Sequence, residues 1–164
     1  MNQKSNEYSR PSETSVINPS EPLIQLIYTS TKSKETGFKE ILEISRTAKI
    51  NNINQKVTGL LVYFNNSFLQ VLEGGLKVVN DLFQKISKDT RHKDVLLLEV
   101  KKINKKEFEN WSMKNVSISQ YGDIRKLMVD GNLISDTEDF PKDIDLIQVM
   151  INHLKKEIGP LREQ

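Results

Sequence analysis

Apolar and polar positions divide the chain into a polar leader and a patterned body. Residues 1–22 are rich in Ser, Asn, Glu and Pro, and Val16-Ile17 is their single apolar pair. Such a composition buries too little surface to offset ordering entropy, so a mobile tail is expected. From Leu23 the pattern changes. Residues 23–28 read as a strand, and period-two alternation puts Ile24, Leu26 and Tyr28 on one face. Phe38, Ile41, Leu42, Ser45, Ala48 and Asn52 recur at helical spacing, which predicts a helix over 36–52 with Ser33 or Thr36 as its cap. Two apolar runs, 57–64 and 67–73, flank Asn65-Asn66 and read as a hairpin, because Asn tolerates the left-handed backbone of a tight turn. Gly74-Gly75 ends the second run. A helix follows with Val79, Leu82, Phe83 and Ile86 as its buried stripe.

Residues 89–92 then read as a loop and 95–100 as a fourth strand. A lysine-rich connection over 101–107 leads to Trp111 and Met113, placed in a fifth, edge strand. The order βαββαββ predicts an α+β, ferredoxin-like sandwich with two helices on one face of a mixed sheet. A short helix is expected over 117–130. An amphipathic one is expected over 142–157, with Pro141 near its start and Gly159-Pro160 beyond its end. These C-terminal helices are expected to cover the other face. The chain thus divides into a tail (1–22), a core domain (23–115) and a helical extension (116–164).

Bulk properties narrow the chemistry. Hydrophobic residues are 37% of the 164, enough for one core, and 24 basic against 22 acidic side chains leave a net charge of +2. That balance asks for no polyanionic partner. Without cysteine there is no disulfide, thiolate metal site or cysteine nucleophile. No apolar run approaches the roughly 20 residues of a membrane span, and no signal peptide is visible, so the cytoplasm is expected. The two histidines, His92 and His153, are far apart in sequence, and no phosphate-binding glycine loop or nucleophile elbow appears.

The informative feature is polar groups that project onto apolar faces. Alternation puts Gln70 with Phe68 and Leu72, and a buried amide without a partner costs roughly 1–3 kcal/mol. Tyr28 shares the face of Ile24 and Leu26, and Asn52 lies on the stripe of Ile41 and Ala48. Together they would line a cleft suited to a flat ligand with a polar rim. Each also has an ordinary explanation: a core tyrosine with a solvated hydroxyl, an exposed glutamine, a capping asparagine.

Six pieces in order carry a resemblance: Leu-Ile-Tyr-Thr-Ser at 26–30, Asn51-Asn52, Val-Thr-Gly-Leu-Leu-Val-Tyr at 57–63, Phe-Leu-Gln-Val-Leu-Glu-Gly at 68–74, Asp89-x-Arg91-His92, and Trp-Ser-Met at 111–113. From about Leu23 to Met113 the chain resembles the BLUF family, sensors of blue light using FAD. The resemblance implies a non-covalent flavin between the two helices, with FAD expected over FMN or riboflavin. It implies Tyr28 as the photochemical electron and proton donor and Gln70 as the switching amide. Asn52, assisted by Asn51, would bond the flavin's carbonyl edge. Phe68, Lys85, Asp89, Arg91 and His92 would line the ring or its phosphate tail, and Trp111 and Met113 would be the pair that exchanges inner and outer positions. Lys85 stands where some relatives carry Arg, and Ala48 where several carry Ser.

By the same resemblance the chain is like the short, stand-alone members. It would be a non-enzymatic receptor that signals to a separate downstream protein and forms a homo-oligomer, dimer or larger. Two rival readings remain open: an RNA-binding ferredoxin-like module, which needs exposed aromatics on a bare sheet face, and a small flavoenzyme or acyl-phosphate hydrolase, which needs a general base beyond His92.

Overall fold

The computed structural model describes residues 21–35, 37–120, 122–131 and 140–158. Among these residues five strands and four helices follow one another as β1 (Leu23–Lys32), α1 (Phe38–Gln55), β2 (Thr58–Phe64), β3 (Ser67–Gly75), α2 (Leu76–Ser87), β4 (His92–Lys102), β5 (Lys114–Ser117), α3 (Gly122–Asp130) and α4 (Ile144–Ile158). The sheet order is β4-β1-β3-β2-β5. β3 runs antiparallel between β1 and β2, β4 is antiparallel to β1, and β5 is parallel to β2. This is the expected ferredoxin-like α+β fold, two split strand–helix–strand units interleaved in one sheet.

β1 and β3 occupy the middle of the sheet and are buried on both faces, which is why they read as nearly continuous apolar runs. On the helix face Ile24, Leu26, Tyr28, Leu61, Phe68 and Leu72 pack beneath α1 and α2. On the opposite face Ile27, Leu60, Val62, Leu69 and Val71 meet Ile147, Met150, Ile151 and Leu154 of α4. The C-terminal helix covers that face as expected. Each of these fully buried aliphatics contributes about 1.5–3 kcal/mol. At Gly59 a Cβ would stand 2.0 Å from the Val71 carbonyl oxygen, so only glycine permits this approach of β2 to β3.

Several boundaries depart from the sequence reading. Glu21 and Pro22, inside the expected tail, contact α2: Lys77 N–H donates to the Glu21 carboxylate at 2.5 Å, and Leu76 N–H to the Pro22 carbonyl at 3.0 Å. The remainder of the expected tail lies outside the described residues. α1 starts after Gly37, whose N–H donates to Glu40 Oε2 at 2.9 Å. Ser33 is buried elsewhere, and Thr36 lies outside the described residues. The helix runs three residues past Asn52 and ends at Lys56 in the left-handed conformation. Its buried stripe passes through Ile44, leaving Leu42 54% exposed, because 41, 44, 48 and 52 stay on one side of a 3.6-residue repeat and 42 does not.

β4 starts at His92, inside the expected loop, and β5 starts at Lys114, after both Trp111 and Met113. Asp143 rather than Pro141 opens α4, its carboxylate accepting the Asp145 and Leu146 amides at 2.9 and 3.2 Å. Residues 118–120 form a 3-10 turn ahead of α3, so the expected 117–130 helix is divided.

Candidate functional site

Tyr28 and Gln70 are cross-strand partners on β1 and β3. Regular alternation along β1 puts the phenol on the helix face with Ile24 and Leu26. Tyr28 is fully buried, its ring centroid 5.2 Å from that of Phe83 on α2. Its hydroxyl donates to Gln70 Oε1. Burial pushes the phenol far above its ordinary range, and the Asp89 carboxylate adds to the push. With its oxygen committed to the phenol, the Gln70 amide points Nε2 at Met113 Sδ, 3.6 Å away.

Gln70 also forms the floor of an open cleft of about 150 Å³ between α1 and α2. Ile44, Thr47, Ala48, Asn51 and Asn52 line it from α1, and Leu82, Lys85 and Ile86 from α2. Asp89, Arg91 and His92 close one end. Phe68 lies behind this wall, its ring 5.1 Å from that of His92. Apart from Tyr28 and Phe68, packed just beneath, every expected flavin-contact residue therefore borders one cavity.

The end wall is built by a tight turn. The Arg91 amide donates to Asp89 Oδ1 at 3.0 Å, and its guanidinium grips the same carboxylate at 2.5–3.1 Å. That grip holds the Asp89 carboxyl below the usual carboxylate range and raises Arg91 in return. His92 is buried, with Nδ1 3.0 Å from Ser30 Oγ. Burial lowers its pKa; Asp89 opposes that shift and Arg91 adds to it.

Asn52 tests whether these residues suit a flavin. Its Nδ2 donates to the Ser112 carbonyl at 2.8 Å, while its buried Oδ1 has no partner among the described residues. A buried unmatched acceptor on a cleft wall calls for a ligand donor. With apolar sides from Ile44, Leu82 and Ile86, the Lys85 ammonium on one wall and the Asp89-paired Arg91 guanidinium at one end, the set fits a planar ring with a hydrogen-bonding rim and an anionic tail. The cavity is below the ~300–1,000 Å³ usual for ligand pockets, so a tricyclic ring must part α1 from α2. α1 is the adaptable wall: of its described side chains, only Ile44 and Asn52 are fully buried.

Trp111 and Met113 separate. Met113 is buried on the helix face against Gln70, whereas Trp111 stacks on Phe108 at 5.4 Å toward the α4 side. They lie in the link before β5, where the Trp111 carbonyl accepts from Gly59 N–H at 2.8 Å. Sequence reasoning missed the Ser112 carbonyl, which no side-chain pattern could reveal. It also missed Glu73, a carboxylate closing an otherwise apolar run. Among the described residues no group of His, Asp or Glu is arranged to hold a metal ion, and no helix is long and apolar enough to cross a membrane.

Residues 23–114 match the family model for BLUF, described as sensors of blue-light using FAD. The photoactivated adenylate cyclase subunit beta of Euglena longa is 30% identical over 96 residues, 58% of this chain and 11% of that protein. The blue light- and temperature-regulated antirepressor BluF of Escherichia coli is 33% identical over 76 residues, 46% of this chain and 19% of that protein. The chain thus spans about a tenth of the cyclase it matches. Among solved structures, the dark state of the BLUF protein BlrB is 26% identical, with a TM-score of 0.67 over 81% of this chain and 97% of that one. The photo-activated state of BlsA is 25% identical, with a TM-score of 0.69 over 87% of this chain and 99% of that one.

Proposed function

The chain belongs to the BLUF family, sensors of blue light using FAD, and from that premise we propose that Tyr28 and Gln70 are the photoactive pair of a blue-light receptor. The observation that carries the reading is the buried phenol donating to an amide that itself borders the cleft. When bound, the flavin supplies absorption of blue light and an oxidising excited state. Tyr28 keeps its proton in the dark, since burial disfavours the phenolate. Once oxidised, a phenol is a strong acid, and its proton leaves along the existing hydrogen bond toward Gln70 Oε1. An amide both donates and accepts, so Gln70 can settle afterwards in a second arrangement. Its contact with a thioether, a weak acceptor, resists that change little.

In this reading Asn52, assisted by Asn51, holds the ring's polar rim. Phe68 and His92 support the pocket, and Lys85, Arg91 and Asp89 face the phosphate-bearing tail. Met113 is the inner neighbour of Gln70 and Trp111 the outer. Residues 23–115 form the sensor and 116–164 an output extension.

The family includes domains within larger enzymes, and this chain aligns with 11% of a photoactivated cyclase. We read it as a sensor rather than a catalyst, acting in the cytoplasm on a separate downstream protein and self-associating as a dimer or larger. The RNA-binding alternative loses support because α4 covers the sheet face on which bases would stack. The test is direct. The purified chain should take up FAD and be yellow, and blue light should shift its absorption reversibly to the red. A colourless protein unable to bind flavin ends the proposal.

A further inference from the structure

Glu73 is fully buried, three residues beyond Gln70 but on the opposite face of β3, with Leu69 and Val71. Its carboxylate accepts four donors. Gln25 Nε2 (2.8 Å) and the Glu107 amide (3.1 Å) reach Oε1, and the Phe108 amide (2.9 Å) and Thr58 hydroxyl (3.4 Å) reach Oε2. Two of these donors come from the neighbouring strands β1 and β2, and two from the start of the 107–113 segment. Only an acceptor with two free oxygens satisfies that set. A glutamine in its place would turn an NH2 toward one of the two backbone amides.

The same segment has its other end in the cleft. Ser112 accepts from Asn52, and Met113 Sδ from Gln70 Nε2. Its first residues lie under α4: Lys155 Nζ is 2.6 Å from Glu107 Oε2 and 5.6 Å above the Phe108 ring, which stacks on Trp111. Residues 107–113 therefore form a short bridge around the β2–β5 side of the sheet, with one end against the photoactive amide and the other against the C-terminal helix.

We infer that Glu73 is a positioning residue whose carboxylate clamps this bridge to β3, so that rearrangement at Gln70 and Met113 is delivered to α4 through Phe108, Glu107 and Lys155. The inference rests on the receptor reading above. With the clamp in place the bridge pivots about its Glu107–Phe108 end and turns those side chains against Lys155; without it, motion at Met113 dissipates in a loose link.

The experiment uses the flavin-loaded full chain and hydrogen exchange read by mass spectrometry, in the dark and under blue light. In the wild type, light should change exchange across 144–158 several-fold. Glu73→Gln should keep the red shift but lose that light-minus-dark difference, while its Glu107 and Phe108 amides exchange faster in the dark. A merely structural role would raise exchange without removing the difference. If Glu73→Gln does not fold, Lys155→Ala decides, because it cuts the bridge at the exposed end and should at least halve the α4 response. An unchanged α4 response in whichever variant folds overturns the clamp. A wild type that binds flavin but shows no red shift overturns the receptor reading instead. The clamp then stands or falls on dark exchange at Glu107 and Phe108.

Discussion

Tyr28 and Gln70 face each other across the two central strands, and the phenol's hydrogen bond dictates which way the amide points. The consequence is asymmetric. On one side the amide has a strong, buried donor; on the other its NH2 meets, among the described residues, only a thioether. Reversing the amide therefore exchanges its dark bonding pattern at little cost on the Met113 side, and the barrier is set at the tyrosine.

Tyr28→Phe should retain FAD and fold, because the ring still packs on Phe83. It should lose the light-induced red shift entirely. The orphaned Gln70 oxygen should cost about 1–3 kcal/mol of stability unless ligand or water reaches it. Light-minus-dark spectroscopy and chemical denaturation read the two effects separately. A wild-type difference spectrum from the Tyr28→Phe variant would remove Tyr28 from the photochemistry.

Met113→Leu is close to volume-conserving and should cost less than about 1.5 kcal/mol in stability. It deletes the acceptor that helps hold the dark orientation of Gln70. The red shift should persist and its decay in the dark should slow, by less than about tenfold because a thioether is a weak acceptor. Decay that is faster or unaltered would show that the sulfur does not bias the amide.

Asn52→Ala removes both the Ser112 contact and the unmatched Oδ1. A net hydrogen bond is worth about 0.5–1.5 kcal/mol, so FAD affinity should fall up to roughly tenfold. Asn51→Ala, at an exposed position on the rim, should cost less. Equilibrium dialysis against FAD compares them, and equal losses would contradict the assignment of the rim to Asn52.

Much of this site could be read from alternation alone. Tyr28 and Gln70 fall on the helix face because β1 and β3 are regular where they meet, and Asn52 follows from the same repeat that turns Ile44 and Ala48 inward. The relation between Trp111 and Met113 was hidden. A spacing of two puts side chains on one face of a strand, but β5 begins only at Lys114. The link before it turns round the sheet edge, so the two residues end in different cores. Glu73 was hidden for another reason: its partners are a glutamine 48 residues earlier, a threonine 15 residues earlier and two backbone amides, and backbone donors leave no trace in side-chain order.

His92 gives the fold a pH dependence whose sign follows from its surroundings. The imidazole is buried against Phe68 and Ser30, and burial lowers its pKa; Arg91 reinforces the shift while Asp89 only opposes it. The folded chain thus prefers neutral His92, whereas in the unfolded chain it titrates near 6.5. Above about pH 6.5 the preference costs nothing. As pH falls through that value toward the lower folded pKa, the unfolded state binds more protons and stability declines. His92→Gln keeps a polar group near Ser30 and cannot titrate. It should be less stable than wild type at neutral pH, yet lose less stability between about pH 7 and pH 5. Denaturation curves for both proteins across this range measure the slopes. Parallel slopes would mean that His92 is protonated as readily in the fold as outside it.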